Sequence, residues 1–527
     1  MFVFYDHYTC HTFTILQNVR RRDEPRLDPV GGSPRHIYPS LPNSNIVDNL
    51  YWGYNCFALR DMWVLLLIVK EAIMSNDFSQ TLDHVNTYSR PSELKITDMR
   101  FVDIGGAPMR CTLMKLYTNQ GLVGFGEVRD GSSKLYALML KGRLLGENPC
   151  NIDKLFRRIK QFGGHGRQGG GVSGVEVALW DLAGKAYGVP IWQMLGGKFR
   201  DRVRIYADTD VHGRPSGEAM AKALKERMSL GYTYLKMDLG VNRLLDEPGA
   251  LSAPLGFLEA LREARHGQEA ADDPWQARWQ RSRAYDLANL AHPYTHLHFT
   301  ERGLGILAED VATVRAMIGD EIPLAIDHIG HISVDDAIAM ARRLEPYHLG
   351  WLEDPIPWQF TEQYVKLSRA TTVPICTGED IYLKEGFRPL LQAGAVSVVH
   401  PDVLTVGGIM EMKKVGDLAQ EFGVSMAVHM AESPVACLAA VHCAAATENV
   451  VALEYHSVDV PWWDDMVTGS TRPLVQNGYI TVPDRPGLGI DDFNDAVLRQ
   501  HIHPEIPGLW ESTQAWDAEW ANDRQWS

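Results

Sequence analysis

Leu324-Ala325-Ile326-Asp327 and Gly350-Trp351-Leu352-Glu353 are two of six short apolar runs in the second half of the chain that each end in a polar or charged residue. The other four runs are Pro374–Glu379, Val396–Asp402, Ser425–His429 and Val451–Glu454. The six runs end at positions 327, 353, 379, 402, 429 and 454, which are 26, 26, 23, 27 and 25 residues apart. One strand, one helix and two short loops occupy about this length, so the spacing indicates a series of βα units.

Repeated βα units form a parallel sheet, and this many in series favours closure into an α/β fold of the (β/α)8-type barrel. Helical patterns lie between the runs, as at Val334–Leu344 and Phe360–Arg369, and earlier units fit at Val203–Ala207 and Tyr234–Met237. About 60 residues more than one unit lie before Asp327, which predicts an insertion near 241–303. An insertion in a βα loop either shapes the mouth of the barrel or decorates its surface.

The chain before the barrel is organised differently. Three β-rich runs, with a turn at 119–121, predict an antiparallel sheet, and helical patterns follow over 151–162 and 173–187. The glycine-rich segment Gly163–Gly171 contains a formal GxGxxG, but a helix precedes it, so a flexible, lid-like loop is favoured over a nucleotide site. Residues 1–92 lack sustained periodicity and predict a poorly structured extension, of which residues 1–73 are expected to be dispensable.

The composition and the cysteine pattern indicate which partners and which cellular location to expect. The 527 residues include 51 Lys and Arg against 66 Asp and Glu, a net charge of −15, which disfavours nucleic acid and anionic membranes as partners. The seven cysteines are scattered without a Cys-x-x-Cys pair, as expected for reduced thiols in the cytoplasm. The most apolar run, Met62–Val69, is far shorter than the roughly 20 residues that a transmembrane helix needs. We therefore expect a cytoplasmic protein.

Three carboxylates end three successive runs of the repeat, at Asp327, Glu353 and Glu379. The carboxyl ends of barrel strands meet at one mouth, so these side chains become neighbours. Like charges desolvated together repel, and a divalent cation removes that cost. An all-oxygen ligand set favours Mg²⁺ over zinc or copper. The alternative for each acid taken singly is that it caps a helix or pairs with an Arg or Lys.

The next runs end in Asp402 and His429, which lie one βα unit apart. A carboxylate on the far ring nitrogen would orient the imidazole and raise its basicity, as expected of a general base. Taken alone, His429 is better explained as a structural residue, but a neighbouring metal site favours catalysis. Glu454 closes the ring as a candidate acid or substrate-binding group, with helix capping as the alternative. A cation beside a base is suited to removing the proton α to a carboxylate.

These residues resemble the enolase superfamily, and specifically the acid-sugar dehydratases of its mandelate racemase subgroup. The resemblance covers about Leu94 to Asp491, and it rests on the following motifs: Val175–Lys185, Leu195-Gly196-Gly197, Trp351-Leu352-Glu353-Asp354-Pro355, Thr377-Gly378-Glu379, Pro401-Asp402 with Gly407-Gly408, and His429. It implies an N-terminal α+β capping domain at 93–200, a barrel at 201–456 and a C-terminal segment, 457–527, that returns to the cap.

The resemblance also implies roles for the residues. It implies Mg²⁺ held by Asp327, Glu353 and Glu379, an Asp402–His429 dyad, and contact between Glu454 and the substrate. The cap loops that select the substrate would be Ile104–Met109 and Gly163–Gly171. Members of the subgroup lead us to expect a homo-oligomer, either a dimer or an octamer.

One departure from the subgroup bears on the reaction. The second strand often ends in Lys-x-Lys, whose last lysine is a base, but this chain has Lys236-Met237-Asp238. Loss of that base favours dehydration over 1,1-proton transfer, because His429 could serve as both base and acid in a syn elimination. Asp238 is then expected to bind a sugar hydroxyl, with Lys236 near the substrate carboxylate or the metal.

The general acid is open at this point. Some acid-sugar dehydratases place an acidic histidine two residues after the metal aspartate, where this chain has Ile329. His328 and His331 are therefore the candidates, and His212 is a weaker one.

The resulting hypothesis is a Mg²⁺-dependent dehydratase that converts a hexonate, pentonate or aldarate into a 2-keto-3-deoxy acid. The alternatives are a racemase, epimerase or lactone cycloisomerase of the same superfamily, and a metal-binding pseudoenzyme kept for regulation or interaction.

Overall fold

The computed structural model describes residues 89–107, 109–209, 211, 216–269, 283, 287, 297–327 and 332–520. The predictions for the extension 1–73 and for His212, His328 and His331 lie outside these residues. None of the helices in the described ranges is long and apolar enough to cross a lipid bilayer.

The N-terminal part of the described chain is a three-stranded antiparallel sheet covered by helices. Its strands are β1 (Ile96–Ile104), β2 (Cys111–Thr118) and β3 (Val123–Val128), in that order across the sheet. Its helices are α1 (Leu135–Leu138), α2 (Lys141–Leu144), α3 (Ile152–Ile159), α4 (Gly170–Tyr187) and α5 (Ile191–Met194). Nearly every residue of α4 is buried, because this helix lies between the sheet and the barrel.

Eight parallel strands follow and close into a barrel. They are β4 (Arg202–Ala207), β5 (Leu235–Asp238), β6 (Leu324–Asp327), β7 (Trp351–Glu353), β8 (Ile375–Thr377), β9 (Val398–Val399), β10 (Ser425–Val428) and β11 (Val450–Tyr455). Each strand pairs with the next, and β11 pairs with β4. The predicted (β/α)8-type barrel with an N-terminal α+β capping domain is therefore confirmed.

Helices connect the barrel strands on the outside. They are α6 (Gly217–Ser229), α7 (Val241–Leu244), α8 (Phe257–Glu269), α9 (Glu301–Ile318), α10 (Val334–Leu344), α11 (Thr361–Ala370), α12 (Leu383–Gln392), α13 (Ile409–Glu421) and α14 (Pro434–Ala445). Within the described part of 241–303, Leu251–Ser252 pairs antiparallel with His298–Phe299. Inside the barrel, inward-facing side chains form a small separate core that includes Tyr206, Tyr234, Trp351 and Cys376.

The C-terminal segment runs back along the first sheet. Val467–Thr468 pairs with Asp492–Phe493, and Val475–Gln476 pairs with Tyr479–Thr481, which also pairs with β4. Helix α15 (Asp495–Leu498) follows. The backbone N–H of Trp510 then donates to the carbonyl of Phe101 in β1 at 3.1 Å.

The glycine-rich segment that was interpreted as a flexible loop is largely helical. Gly166–Gly169 forms a 3₁₀ turn, and α4 begins at Gly170, three residues before the predicted start. A Cβ on Gly170 would lie 2.6 Å from the backbone nitrogen of Arg129, and one on Gly171 would lie 2.3 Å from the carbonyl of Tyr136. These glycines let the start of the helix approach neighbouring backbone, so the prediction of a loop over the whole of 163–171 was wrong.

Two carboxylates on α4 connect the cap to other parts of the molecule. Glu176 accepts hydrogen bonds from the N–H groups of Ile409 (2.7 Å) and Met410 (3.1 Å) at the start of α13. Asp181 accepts from the N–H groups of Phe125 in β3 (2.9 Å) and Leu488 (2.8 Å). Unsatisfied N–H groups at a helix start favour such acceptors, so the motif at 175–185 holds the cap against the barrel.

We expect Gly408→Ala to destabilise the fold at this contact. A Cβ at Gly408 would lie 2.0 Å from Oε2 of Glu176, and the residue has φ +93° and ψ −165°. Overpacking alone costs about 1–3 kcal/mol, and the positive φ adds strain. Urea denaturation measures the loss. The matched control is Gly319→Ala, since Gly319 has φ 82° and ψ −178° with open space around it; equal losses in both variants would contradict the proposed clash.

Candidate active site

The predicted site residues lie at the carboxyl ends of the barrel strands. Asp238, Asp327 and Glu353 are direct neighbours in the register of β5, β6 and β7. Glu379 and Asp402 lie beyond strands β8 and β9, which end earlier than predicted, at Thr377 and Val399. His429 follows β10 and forms an isolated parallel bridge with Asp402. Glu454 lies within β11.

Lys236 on β5 connects three of the acids. Its Nζ lies 3.0 Å from Oδ2 of Asp327, 2.9 Å from Oε1 of Glu353 and 2.6 Å from Oε1 of Glu454. Burial, opposed by Lys236 and reinforced by Glu353, raises the pKa of Asp327 well above its usual range. Burial alone would raise the pKa of Glu353 as well, but His400 and Lys236 lower it. The cluster therefore holds a cation, the lysine ammonium, between its carboxylates.

Glu379 contacts basic groups from two other elements. Its Oε2 lies 3.0 Å from Nε2 of His429, and its Oε1 lies 3.8 Å from Nη2 of Arg129. Burial raises the pKa of Glu379 to about 7, although Arg129 opposes that shift. Among the described residues, the side-chain trios with donor atoms all within 4.8 Å of one another are Glu353–Cys376–His400 and His429–Glu454–His456. Asp327, Glu353 and Glu379, the trio predicted to bind Mg²⁺, do not meet this distance criterion.

The residues present nevertheless fit a divalent cation. Asp327, Glu353 and Glu379 offer oxygen ligands from three neighbouring barrel units, which is the chemistry that Mg²⁺ prefers. Two of them, Asp327 and Glu353, already contact the Lys236 ammonium, so positive charge is already favoured at this place. The raised pKa values of Asp327 and Glu379 indicate acids that are costly to ionise together without one.

The Asp402 and His429 side chains are brought together as predicted. Oδ2 of Asp402 lies 2.7 Å from Nδ1 of His429, and Oδ1 accepts from the N–H groups of Leu404 (2.7 Å) and Thr405 (3.0 Å). Burial and the charge of Arg129 lower the pKa of His429 well below its usual range. The imidazole is therefore neutral near pH 7, and only its Nε2 is directed away from the dyad.

Arg129, which follows β3 in the cap, is the first site residue that the sequence reasoning missed. It is almost completely buried, and its Nη1 lies 2.5 Å from Oδ2 of Asp402, 2.6 Å from Oε1 of Glu432 and 3.2 Å from Oδ1 of Asp130. The cap thus supplies the counter-charge for the dyad. Arg129 lies outside the βα repeat, so no spacing signal in the sequence points to it.

A further layer below the mouth was also missed. The Tyr206 hydroxyl lies 2.7 Å from Nε2 of His400 and donates to Oε2 of Glu454 at 3.2 Å. Nδ1 of His400 lies 3.1 Å from Oε1 of Glu353. His400 precedes Asp402 by two residues, and strand alternation places such residues on one face, so its position could have been inferred from the sequence.

His456 and Asp208 form a second imidazole–carboxylate pair at the mouth. Nδ1 of His456 lies 3.3 Å from Oδ2 of Asp208, which follows β4, and its Nε2 lies 3.2 Å from Oε1 of Glu454. Burial lowers the pKa of His456, but Asp208 and Glu454 outweigh it and raise the pKa to about 9. Asp238 lies at the exposed rim of the same side of the barrel.

Comparison with known proteins finds two family models and several relatives that match this chain. Residues 87–196 match the mandelate racemase / muconate lactonizing enzyme N-terminal domain, and residues 297–495 match the enolase C-terminal domain-like family. A D-xylonate dehydratase of Haloferax volcanii is 32% identical over 442 residues, which cover 82% of this chain and 96% of that protein.

A second curated relative and a solved structure agree with these matches. A D-galactonate dehydratase of Ralstonia nicotianae is 27% identical over 428 residues, covering 78% of this chain and 97% of that protein. The crystal structure of a mandelate racemase/muconate lactonizing enzyme-like protein from Rubrobacter xylanophilus has a TM-score of 0.65 at 28% identity, covering 79% of this chain and 99% of that one.

Proposed function

Because this chain belongs to the mandelate racemase and muconate lactonizing enzyme family of the enolase superfamily, and is a sugar-acid dehydratase, we propose that it is Mg²⁺-dependent and uses His429 as its base. His429 removes the proton α to the substrate carboxylate, and the β-hydroxyl then leaves. The product is a 2-keto-3-deoxy acid. The observation that carries this proposal is the His429 imidazole, held by Asp402 and directed by its Nε2 toward the carboxylate cluster.

The geometry supports His429 as the base. Asp402 fixes the ring through Nδ1 at 2.7 Å, so the lone pair that accepts a proton lies on Nε2. Arg129 compensates the buried charge of Asp402. A neutral imidazole in a buried site is able to take a proton from carbon when the negative charge that develops on the substrate is stabilised.

Asp327, Glu353 and Glu379 would hold the magnesium ion, which when bound supplies positive charge for the substrate carboxylate and so makes its α-proton removable. Lys236 adjoins two of these acids and adds positive charge at the same place. Asp238 at the rim is suited to accept a hydrogen bond from a sugar hydroxyl. Glu454, paired with Lys236, lies beside the position where the substrate would meet His429.

We propose an aldonate of five or six carbons as the substrate, with aldarates as the alternative class. The support is the chemistry named for the two relatives, a D-xylonate dehydratase and a D-galactonate dehydratase. Cap residues would select among such acids. The homo-oligomer, a dimer or octamer, and the cytoplasmic location remain predictions.

A proton NMR assay in deuterated buffer tests this function. The purified protein is incubated with Mg²⁺ and a panel of aldonates and aldarates, with D-xylonate and D-galactonate first. We expect loss of the C3 hydroxyl and appearance of a 2-keto-3-deoxy acid, and no product after treatment with EDTA. α-Deuteration with appearance of an epimer would instead identify a racemase or epimerase, and ring formation would identify a cycloisomerase. Tight binding of an effector without turnover of any acid would favour a pseudoenzyme.

A further inference from the structure

The reaction needs an acid as well as a base, because hydroxide is a poor leaving group. His429 presents only one ring nitrogen to the substrate, because its Nδ1 is paired with Asp402, and that nitrogen receives the α-proton. A second group beside the C3 hydroxyl would separate the role of acid from that of base. Building on the proposed function, we infer that His456 is the general acid that protonates the departing β-hydroxyl.

The first support is the position of His456 relative to His429. The two residues directly follow the neighbouring strands β10 and β11, and their ring centroids are 5.9 Å apart. Both Nε2 atoms are directed toward Glu454, at 3.9 Å for His429 and 3.2 Å for His456. Two imidazoles on one side of the barrel mouth can act on adjacent carbons of one substrate from the same face. This geometry corresponds to a syn elimination.

The second support is that both rings are held in the same way. A carboxylate from a neighbouring strand contacts Nδ1 of each, Asp402 for His429 and Asp208 for His456, so each presents Nε2 to the cavity. In the described structure Nε2 of His456 is buried and makes no hydrogen bond of good geometry, although it has an ion-pair contact with Glu454. A substrate hydroxyl at this position would offer Nε2–H an acceptor of better geometry.

The third support is electrostatic. Asp208 and Glu454 outweigh burial and raise the pKa of His456 to about 9, so this imidazole is protonated near neutral pH. A protonated imidazole can donate the proton that the departing hydroxyl needs.

The proton balance of the step closes on these two residues. Nε2 of His429 first takes the proton from C2 reversibly, and the electron pair of that bond is held on the substrate carboxylate as an enediolate. That electron pair then forms the C2=C3 double bond as the C3–O bond breaks. Nε2–H of His456 protonates the leaving oxygen, which departs as water. The enol then gains a proton at C3 from His429 and loses one from the C2 hydroxyl to His456, so both histidines return to their starting states.

The test uses His456→Asn in deuterated buffer with the sugar acid that the wild-type protein dehydrates, D-xylonate being tried first. We expect dehydration to fall about 100-fold or more, within the range for loss of a general acid. His429 still removes the α-proton reversibly, so the recovered substrate should gain deuterium at C2. With 3-deoxy-3-fluoro-D-xylonate, whose fluoride needs less help to leave, the rate should fall only a few-fold.

The matched control is His348→Asn, because His348 is exposed at the opposite end of the barrel and its φ of 47° suits asparagine; its rates should equal those of the wild type. Asp208→Asn should show a smaller defect of the same pattern as His456→Asn. If His456→Asn does not fold, His456→Gln and Asp208→Asn report the same readout.

Three results would overturn the inference: normal dehydration by a folded His456 variant, equal loss of dehydration and α-exchange, or equal loss with the hydroxyl and fluoro substrates. If the wild-type protein neither exchanges the α-proton nor dehydrates any acid, the proposed function itself fails, and this inference fails with it.

Discussion

His429→Asn is expected to abolish both dehydration and exchange of the α-proton, while the protein stays folded. The residue is buried, and asparagine can still donate a hydrogen bond to Asp402 from its amide, but no group remains at the position of Nε2 to accept a proton from carbon. A general base contributes about 10²–10⁴-fold to rate, so turnover should fall at least to that extent. Proton NMR in deuterated buffer measures both reactions in one experiment.

The pattern of loss distinguishes the base from the acid. His429→Asn should lose α-exchange together with dehydration, with hydroxyl and fluoro substrates alike, whereas the His456 variant should keep exchange. Circular dichroism and the His348→Asn control separate a catalytic loss from a general effect of replacing histidine. Wild-type exchange in folded His429→Asn would remove the proposed base.

Glu353→Gln is expected to weaken Mg²⁺ binding and with it activity. Glu353 is completely buried, its Oε2 accepts from Nε1 of Trp351 at 2.8 Å, and its Oε1 lies 2.9 Å from Nζ of Lys236. Glutamine keeps the shape but removes the negative charge, so both Lys236 and a divalent ion lose an attractive partner. Loss of even an outer-shell partner costs about 10–100-fold in metal affinity, and loss of a ligand should cost at least as much.

Isothermal titration with MgCl₂ measures this affinity without reference to turnover. Glu362→Gln is the matched control, because Glu362 is exposed on α11 of the same βα unit; its Mg²⁺ affinity should be that of the wild type. An unchanged affinity in folded Glu353→Gln would contradict the assignment of this residue as a ligand.

Much of the barrel could be predicted because the alternation of apolar strand patterns and helical patterns is local and repeats along the sequence. The strand Leu324–Asp327 and the helix Val334–Leu344 have the bounds that the sequence pattern predicted. The strands before Glu379 and Asp402 are shorter than predicted, since the chain leaves the sheet at Thr377 and Val399 while its polar residues still reach the mouth. Apolar patterning therefore located these side chains better than it located the strand ends.

The rest of the site depends on contacts between distant elements. The spacing of the repeat predicted that Asp402 lies beside His429. It could not show that the buried ammonium of Lys236 lies against Asp327 and Glu353. His456 follows Glu454 by two residues, and alternation along β11 would have placed both on the cavity side. Arg129 comes from a domain whose docking no local pattern encodes, and Gly170 is helical because of close backbone approach that sequence alone does not reveal.

Arg129 ties the chemistry of the barrel to the presence of the cap. Its guanidinium extends from the end of β3 to the buried carboxylates of Asp402 and Glu432. A barrel without its cap, or one joined to a foreign first domain in exchanging the substrate-selecting loops, would lose this guanidinium. Asp402 and Glu432, which lie beside the base His429, would then have no counter-charge from Arg129. Engineering of specificity in this scaffold should alter loop tips and leave Arg129 in place.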